Sequence, residues 1–311
     1  MKPRVAVVGA GISGMSTAYA LLQKNYAVTI YAKEFSPHIT SNRAAAFWFP
    51  YHVRNDKRGI AWALKSYTFF RETMKDSTSG ISMCRLIKAA KPGANDEDTW
   101  TAFMPDGSFR KLQDNELLNG YAKAFEAFVP LIETQLFLPW LQNYLTARGV
   151  EFKQEVISDL QQLATTFDAV VNCSGLGSRT LCNDESIIAV RGQVNLLEPG
   201  FPDHIFLDNQ TPAYLVPRKD ATIVGGTYEE NTYEAVTVAE DLEAILQKAY
   251  AIFPELKSRK VIGSWAGLRP FRQAVRLEKE DNIIHNYGHG GSGYTLSFGC
   301  AEEAAGLVSG E

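Results

Sequence analysis

The sequence predicts an α/β protein in two parts. One part is a unit of parallel strands alternating with helices; the other is a mostly antiparallel sheet of α+β character. Three observations lead there. The first 35 residues read strand, glycine turn, helix, strand. That alternation resumes near residue 150 and again at the C-terminus. Between about 190 and 277 the chain instead shows short β-rich runs separated by turns.

Taken in order, VAVVGAG is an apolar run that ends in glycine, as a buried parallel strand does. ISGMSTAYALLQKNY follows with Ile12, Met15, Ala18, Leu21 and Leu22 on one helical face, and AVTIYAKE is a second β-rich run. Such a unit makes a right-handed crossover in a parallel sheet. Residues 58–77 read as helix, and 81–112 as short strands with turns, PDG at 105–107 among them. ETQLFLPWLQNYLTARGV is an apolar helix closed by Gly149. EFKQEVI, LQQLATTF and DAVVNCSG then read strand, helix, strand. GQVNLLE, AYLVP, ATIVGGTY and KVIGSWAGLRPF carry the second sheet, interrupted by one helix near Val238 to Ile252. The end reads strand, glycine loop, helix.

Composition excludes several classes. The chain has 311 residues, 45% hydrophobic and 21% charged, with net charge -4. Its basic residues are dispersed, which argues against nucleic acid as a partner. No apolar run is long enough for a bilayer, so no membrane association is expected. The N-terminus lacks a signal-peptide pattern and GLVSGE carries no peroxisomal tripeptide, so a cytoplasmic location is expected. Cys84, Cys173, Cys182 and Cys300 form no CxxC and read as free thiols. The five histidines, His38, His52, His204, His285 and His289, are joined by no carboxylate or cysteine cluster, so no metal site is expected. Monomer and homo-oligomer both stay open.

The chemistry starts at GAGISG. Gly9, Gly11 and Gly14 make a GxGxxG between a strand and a helix, the dinucleotide-binding pattern of a Rossmann-like unit. The first glycine permits the tight turn, the second lets backbone approach a pyrophosphate, and the third lets helix and strand pack. The helix N-terminus favours the phosphate charge. Glu34, 20 residues beyond Gly14, is placed to accept from a ribose hydroxyl. NAD and FAD both use this pattern. DAVVNCSGLGSR leans towards FAD, because a strand ending in a small-residue turn returns backbone to the same cofactor.

GAGISG, IYAKEFSP, AAAFWFPY, NCSGLGSR, RGQV, AYLVP, GGTY, GLRPFRQAVRLE and HNYGHGGSGYT come in the order and spacing of D-amino-acid oxidases, and the resemblance covers essentially the whole chain. It is nearest to the microbial and yeast-type members. It implies a non-covalently bound FAD. It implies an FAD-binding domain of residues 1–50, 130–185 and 262–311, and a substrate-binding domain of 51–129 and 186–261. The implied reaction oxidises a D-amino acid to an imino acid by hydride transfer to flavin N5, with O2 reduced to H2O2. The imino acid then hydrolyses to a 2-oxo acid and ammonia.

The resemblance also implies residue roles. Arg269, in GLRP, matches the arginine that clamps the substrate carboxylate, a task that suits a guanidinium fork. Tyr214 matches a tyrosine that meets the same carboxylate, Tyr228 one that lines the pocket, and Gly291 a glycine whose carbonyl takes the amino group. Arg272 and Arg276 read as structural. Cofactor contacts are implied for Gly9, Ala10, Gly11, Ile12, Ser13 and Gly14, and for Lys33 and Glu34. They are implied likewise for Arg43, Ala44, Ala45 and Ala46, and for Val156, Ser174 and Gly175. The last set is Gly290, Gly291, Ser292, Gly293, Tyr294 and Thr295. Phe47, Phe49 and Val216 would give the substrate pocket an apolar wall.

Departures from the pattern matter too. Ala46 stands where glycine is common. A second pocket tyrosine of the animal enzymes is Gln210 here, in a short loop from Phe206 to Pro212, so no large lid is expected. The D-aspartate-selective relatives carry arginine at the place of Tyr228, so neutral or apolar D-amino acids are expected. His285 and His289 read as hydrogen-bonding frame, not as bases. Readings that compete are a glycine or sarcosine oxidase, a D-aspartate oxidase, an acceptor-linked D-amino-acid dehydrogenase, and a non-catalytic flavin-binding protein.

Overall fold

A computed structural model describes every residue except 1, 52, 54, 55, 95–98, 209–212 and 311. His52 and Gln210, with most of its loop, therefore lie outside the described residues.

The opening unit is β1 (Arg4–Val8), α1 (Ile12–Gln23) and β2 (Ala27–Ala32). Next comes α2 (Lys57–Thr73), whose first turn is capped by Asp56 accepting from the Gly59 backbone N–H at 2.8 Å. Three strands follow: β3 (Ile81–Ala90), β4 (Phe109–Lys111) and β5 (Lys123–Ile132). Over 81–112 the turn at 105–107 and the short β4 are as expected, but β3 is a ten-residue strand, paired with the equally long β5 from Ile81↔Ile132 to Ala90↔Lys123. Ile87 to Ala90 are all buried, so this stretch shows no in–out alternation to read.

The α/β alternation continues through α3 (Thr134–Thr146), β6 (Glu151–Gln154), α4 (Leu160–Ala164), β7 (Ala169–Asn172) and α5 (Ser178–Leu181). The antiparallel part is β8 (Ile188–Leu197), β9 (Ile205–Asp208), β10 (Ala213–Pro217), β11 (Thr222–Gly225) and β12 (Glu229–Glu230), followed by α6 (Ala239–Ile252). β13 (Val261–Glu280), β14 (Ile283–His289) and α7 (Gly293–Ser309) close the chain.

These strands form one mixed sheet in the order β4-β5-β3-β9-β10-β11-β8-β13-β14-β7-β1-β2-β6, with β12 on β8. From β14 to β6 the pairings are parallel. From β4 to β14 they are antiparallel apart from β3 with β9. The α/β class with a parallel and a mostly antiparallel part is thus as expected, but the two parts join in one sheet and not two. The strand β13 ties the halves together: it pairs with β8 on one side and β14 on the other.

Each face has its own cover. Ile87, Phe206, Leu215 and Val224 alternate onto one face, where Ile245, Leu246 and Ala249 of α6 pack on them. The main core lies on the other face, with α1, α2, α3 and α7. There α2 and α7 meet backbone to backbone: a Cβ on Gly299 would lie 2.3 Å from the Trp62 Cα. No described helix is long and apolar enough to cross a membrane.

Candidate active site

A cavity of about 930 Å³ runs from the glycine turn after β1, across the sheet, to β3. At its first end backbone meets backbone. Gly9 has φ +114°, and a Cβ on it would come 2.4 Å from the Cys173 carbonyl oxygen; one on Gly14 would come 1.9 Å from the Gly9 carbonyl oxygen. β1, β7 and α1 can therefore converge only without side chains at these points. Ser41 adds a hydroxyl that accepts from the Ile12 backbone N–H at 3.0 Å. Two buried polar atoms here, Asn286 Oδ1 and His289 Nε2, have no hydrogen-bond partner among the described residues, and both residues line the cavity.

The other wall is the sheet itself. Register places Lys88, Leu207, Tyr214, Gly225, Val194 and Trp265 in one row across β3, β9, β10, β11, β8 and β13. Residues opposite one another point to the same face. Two residues on from Trp265 comes Gly267, paired with Gly192, and two further comes Arg269. Two glycines clear this floor. A Cβ on Gly225 would lie 2.2 Å from the Tyr214 ring, and one on Gly192 would lie 2.2 Å from Arg269 Nη2.

Arg269 is only loosely held. Its Nη1 donates to the Thr227 carbonyl at 3.2 Å and its guanidinium lies 6.0 Å from the Tyr228 ring. Among the described residues no carboxylate pairs with it. By contrast Arg272 pairs with Asp184 at 3.1 Å, and Arg276 with Glu278 and Glu280. Burial raises the phenol pKa values of Tyr51 and Tyr214, with Arg269 opposing the shift in both. Both hydroxyls therefore remain protonated and able to donate.

The last wall is the AAAFWFPY stretch with the glycine loop. Phe47, Phe49 and Tyr51 line the cavity, while Trp48 between them is fully buried and donates to the Ala63 carbonyl at 2.9 Å. Ala46 has φ +53°, a left-handed backbone that glycine takes at less cost, which explains why glycine suits this position. Gly291 leaves room for Tyr51, whose Cδ1 would lie 2.8 Å from a Cβ there. α7 starts at Gly293, just past the loop. Burial lowers the pKa of His285, with Arg276 adding to it, and brings His289 down to about 4. Both imidazoles are neutral near pH 7.

Most of the predicted residues converge. Gly9 to Ser13, Glu34, Arg43 to Ala46, Ser174, Gly175, Gly290, Gly291, Gly293, Tyr294, Thr295, Phe47, Phe49, Tyr214, Tyr228 and Arg269 line this one cavity. Five are not among its lining residues. Gly14 is spent on packing. Ser292 is buried with its hydroxyl on the Tyr51 carbonyl. Lys33 is exposed, its carbonyl accepting from Gln154 at 3.2 Å. Val156 is 67% exposed, past the end of β6. Val216 shares the Tyr214 face but is fully buried in the main core, so it does not supply the apolar wall expected of it. Tyr51, Ser41, Lys88 and Trp100 also line the cavity and are not among the residues expected from the sequence. Tyr51 was legible, because it continues the alternation Phe47, Phe49. Lys88 and Trp100 reach the cavity only through cross-strand register and packing.

Residues 4–307 match the model of the FAD dependent oxidoreductase family. A D-amino-acid oxidase of Rubrobacter xylanophilus is 36% identical over 98% of this chain and 95% of its own. A D-aspartate oxidase of Homo sapiens is 33% identical over 98% of this chain and 94% of its own. The crystal structure of glycine oxidase from Geobacillus kaustophilus shares the fold, with TM-score 0.83 and 18% identity over 100% of this chain and 96% of that one.

Proposed function

This chain belongs to the FAD dependent oxidoreductase family, and we propose from that premise that it oxidises D-amino acids to imino acids, with O2 as acceptor. The products would be H2O2 and, after hydrolysis, a 2-oxo acid and ammonia. The site fits FAD. The turn at Gly9 and Gly14 is a cradle that side chains would fill, and Asn286 and His289 bring buried polar atoms that need partners. When bound, FAD supplies the two-electron acceptor.

The chain's own residues do the positioning. The Arg269 guanidinium and the Tyr214 hydroxyl hold the α-carboxylate, and the Gly291 carbonyl accepts from the amine. Fixing both ends leaves one Cα–H facing the cofactor side of the cavity, which selects one hand. Positioning of this kind is worth up to ~7–11 kcal/mol. No histidine is needed as base, in keeping with neutral, framework His285 and His289. The parallel half with its helices serves as the FAD-binding domain and the antiparallel half as the substrate-binding domain, divided as the sequence suggests.

One observation carries this reading: Arg269 faces the cavity between aromatic neighbours with no carboxylate of the described chain to neutralise it. A buried-side cation without a partner favours an anionic ligand. The test is anaerobic bleaching of the flavin by D-amino acids, with peroxide appearing in air. Bleaching by L-isomers, or only by glycine and sarcosine, would sink it.

A further inference from the structure

Behind the cavity floor, on the face that α6 covers, the sheet buries a polar node. Gly192 and Val194 of β8 line the cavity, so Gln193 and Asn195, which alternate with them, point the other way. Gln193 is fully buried and its amide is fully used. Its Nε2 donates to Glu229 at 2.9 Å and to Asp241 of α6 at 2.7 Å, and its Oε1 accepts from the Val238 backbone N–H at 2.6 Å. Glu229 is also paired with Arg191 and accepts from the Thr227 hydroxyl at 2.8 Å. That hydroxyl accepts in turn from the Gln193 backbone N–H at 3.1 Å. Arg191, Gln193, Glu229 and Asp241 are not among the residues that line the cavity.

Thr227 belongs to both sides. It lines the cavity, and its carbonyl accepts from Arg269 Nη1 at 3.2 Å. The turn that carries it has little room to shift: a Cβ on Gly226 would lie 2.9 Å from the Tyr214 hydroxyl and 3.1 Å from the Gln193 carbonyl oxygen. Glu229, two residues on, is engaged by Arg191 and Gln193, so this carboxylate does not neutralise Arg269. We propose that Gln193 and Glu229 are positioning residues for the Arg269 clamp: from behind the sheet they fix Thr227, and Thr227 orients the guanidinium for a carboxylate. This rests on the oxidase reading above, which puts Arg269 on the substrate's α-carboxylate. Neither residue touches the substrate, and the Thr227 hydroxyl is the link through which both act.

The experiment uses the FAD-loaded enzyme and reads the Kd of propanoate from flavin absorbance, with KM and kcat for D-alanine. Gln193→Met and Glu229→Ala disrupt the node; Thr227→Val removes the link alone. Each should raise the propanoate Kd and the D-alanine KM by about ten-fold, the scale of one hydrogen bond to a charged group, with flavin content per protein unchanged. KM should rise more than kcat falls, as expected when binding is lost. Thr227→Ser keeps the hydroxyl and should restore both constants. Asn195→Leu is the control: Asn195 Nδ2 donates to the Leu242 carbonyl of α6 at 2.8 Å from the same face, with no bond to Thr227. It should lower Tm and leave both constants as they are. Should the node variants fail to fold, Thr227→Val and Thr227→Ser decide. A node that merely stabilises the fold would lower Tm in Thr227→Val with Kd and KM unchanged, which overturns the proposal. So does a Thr227→Ser that behaves like Thr227→Val, or a wild type that binds no propanoate. If propanoate binds but no D-amino acid is oxidised, the oxidase reading falls by itself, and the propanoate Kd still decides the positioning role.

Discussion

Gly192 of β8 stands directly beneath the guanidinium of Arg269: a Cβ there would fall 2.4 Å from its Cζ. The arginine can occupy the cavity floor only because its neighbour has no side chain. The atom in conflict is the far end of a flexible side chain, so Gly192→Ala should fold with little change in Tm. It should nonetheless push the guanidinium aside and lower kcat/KM by about 100-fold, the cost of misplacing a bidentate clamp. Steady-state kinetics beside thermal melts check this; intact kinetics would detach Arg269 from substrate binding.

Arg269→Ala addresses the same clamp directly. Removing the fork should raise KM by roughly 100-fold or more, while flavin content per protein, read from absorbance, stays at the wild-type level. Arg272→Ala, which loses a pairing with Asp184 instead, should affect stability more than KM.

Gly14 makes the opposite case. A Cβ there would lie 1.9 Å from a backbone oxygen, not from a movable side chain. Gly14→Ala must separate α1 from the β1 turn. It should cost about 1–3 kcal/mol from overpacking and reduce FAD retention. Tm and flavin occupancy after gel filtration report both effects.

Arg218 and Glu133 form a buried pair, 4% and 2% exposed and 3.6 Å apart, that ties the end of β10 to the start of α3. Glu133 also accepts from the Lys219 backbone N–H at 2.9 Å. Arg218→Ala leaves that carboxylate buried without its cation and should cost about 3–5 kcal/mol. Adding Glu133→Gln should recover part of the loss. Urea midpoints of the single and double variants measure it.

His289 and His285 set an acid limit. Both have folded pKa values below their ordinary 6.5, that of His289 at about 4 through burial. The unfolded chain therefore binds more protons than the folded one between pH 6.5 and about 4. Stability is fully present above 6.5 and falls as pH drops through that window. Glu280, 3.1 Å from His285 Nε2, moderates the shift there. Tm measured from pH 7 to 4 should decline more steeply for the wild type than for His289→Asn.

How much of this was legible depends on how far the information travels along the chain. GAGISG and the β-α-β unit around it needed only local cues, namely an apolar run, three glycines and one helical face. The loop HNYGHGGSGYT and Arg269 in GLRP stood out as motifs because their residues are close in sequence. β5 carries no readable alternation because Val129 to Ile132 are all buried while the half-exposed Phe128 beside them is as apolar as its buried neighbours. Val216 was placed in the wall because alternation gives the face of a residue, not where along that face the core closes over it.

By itself, then, the sequence determined the α/β class, the nucleotide turn and the family of chemistry, since each rests on spacing within a few residues. Only the tertiary structure decided that Gly192 makes room for Arg269, and that Lys88 and Trp100 share a wall with Tyr214. Those relations are set by cross-strand register and by packing between residues far apart in the chain, and no local pattern records them.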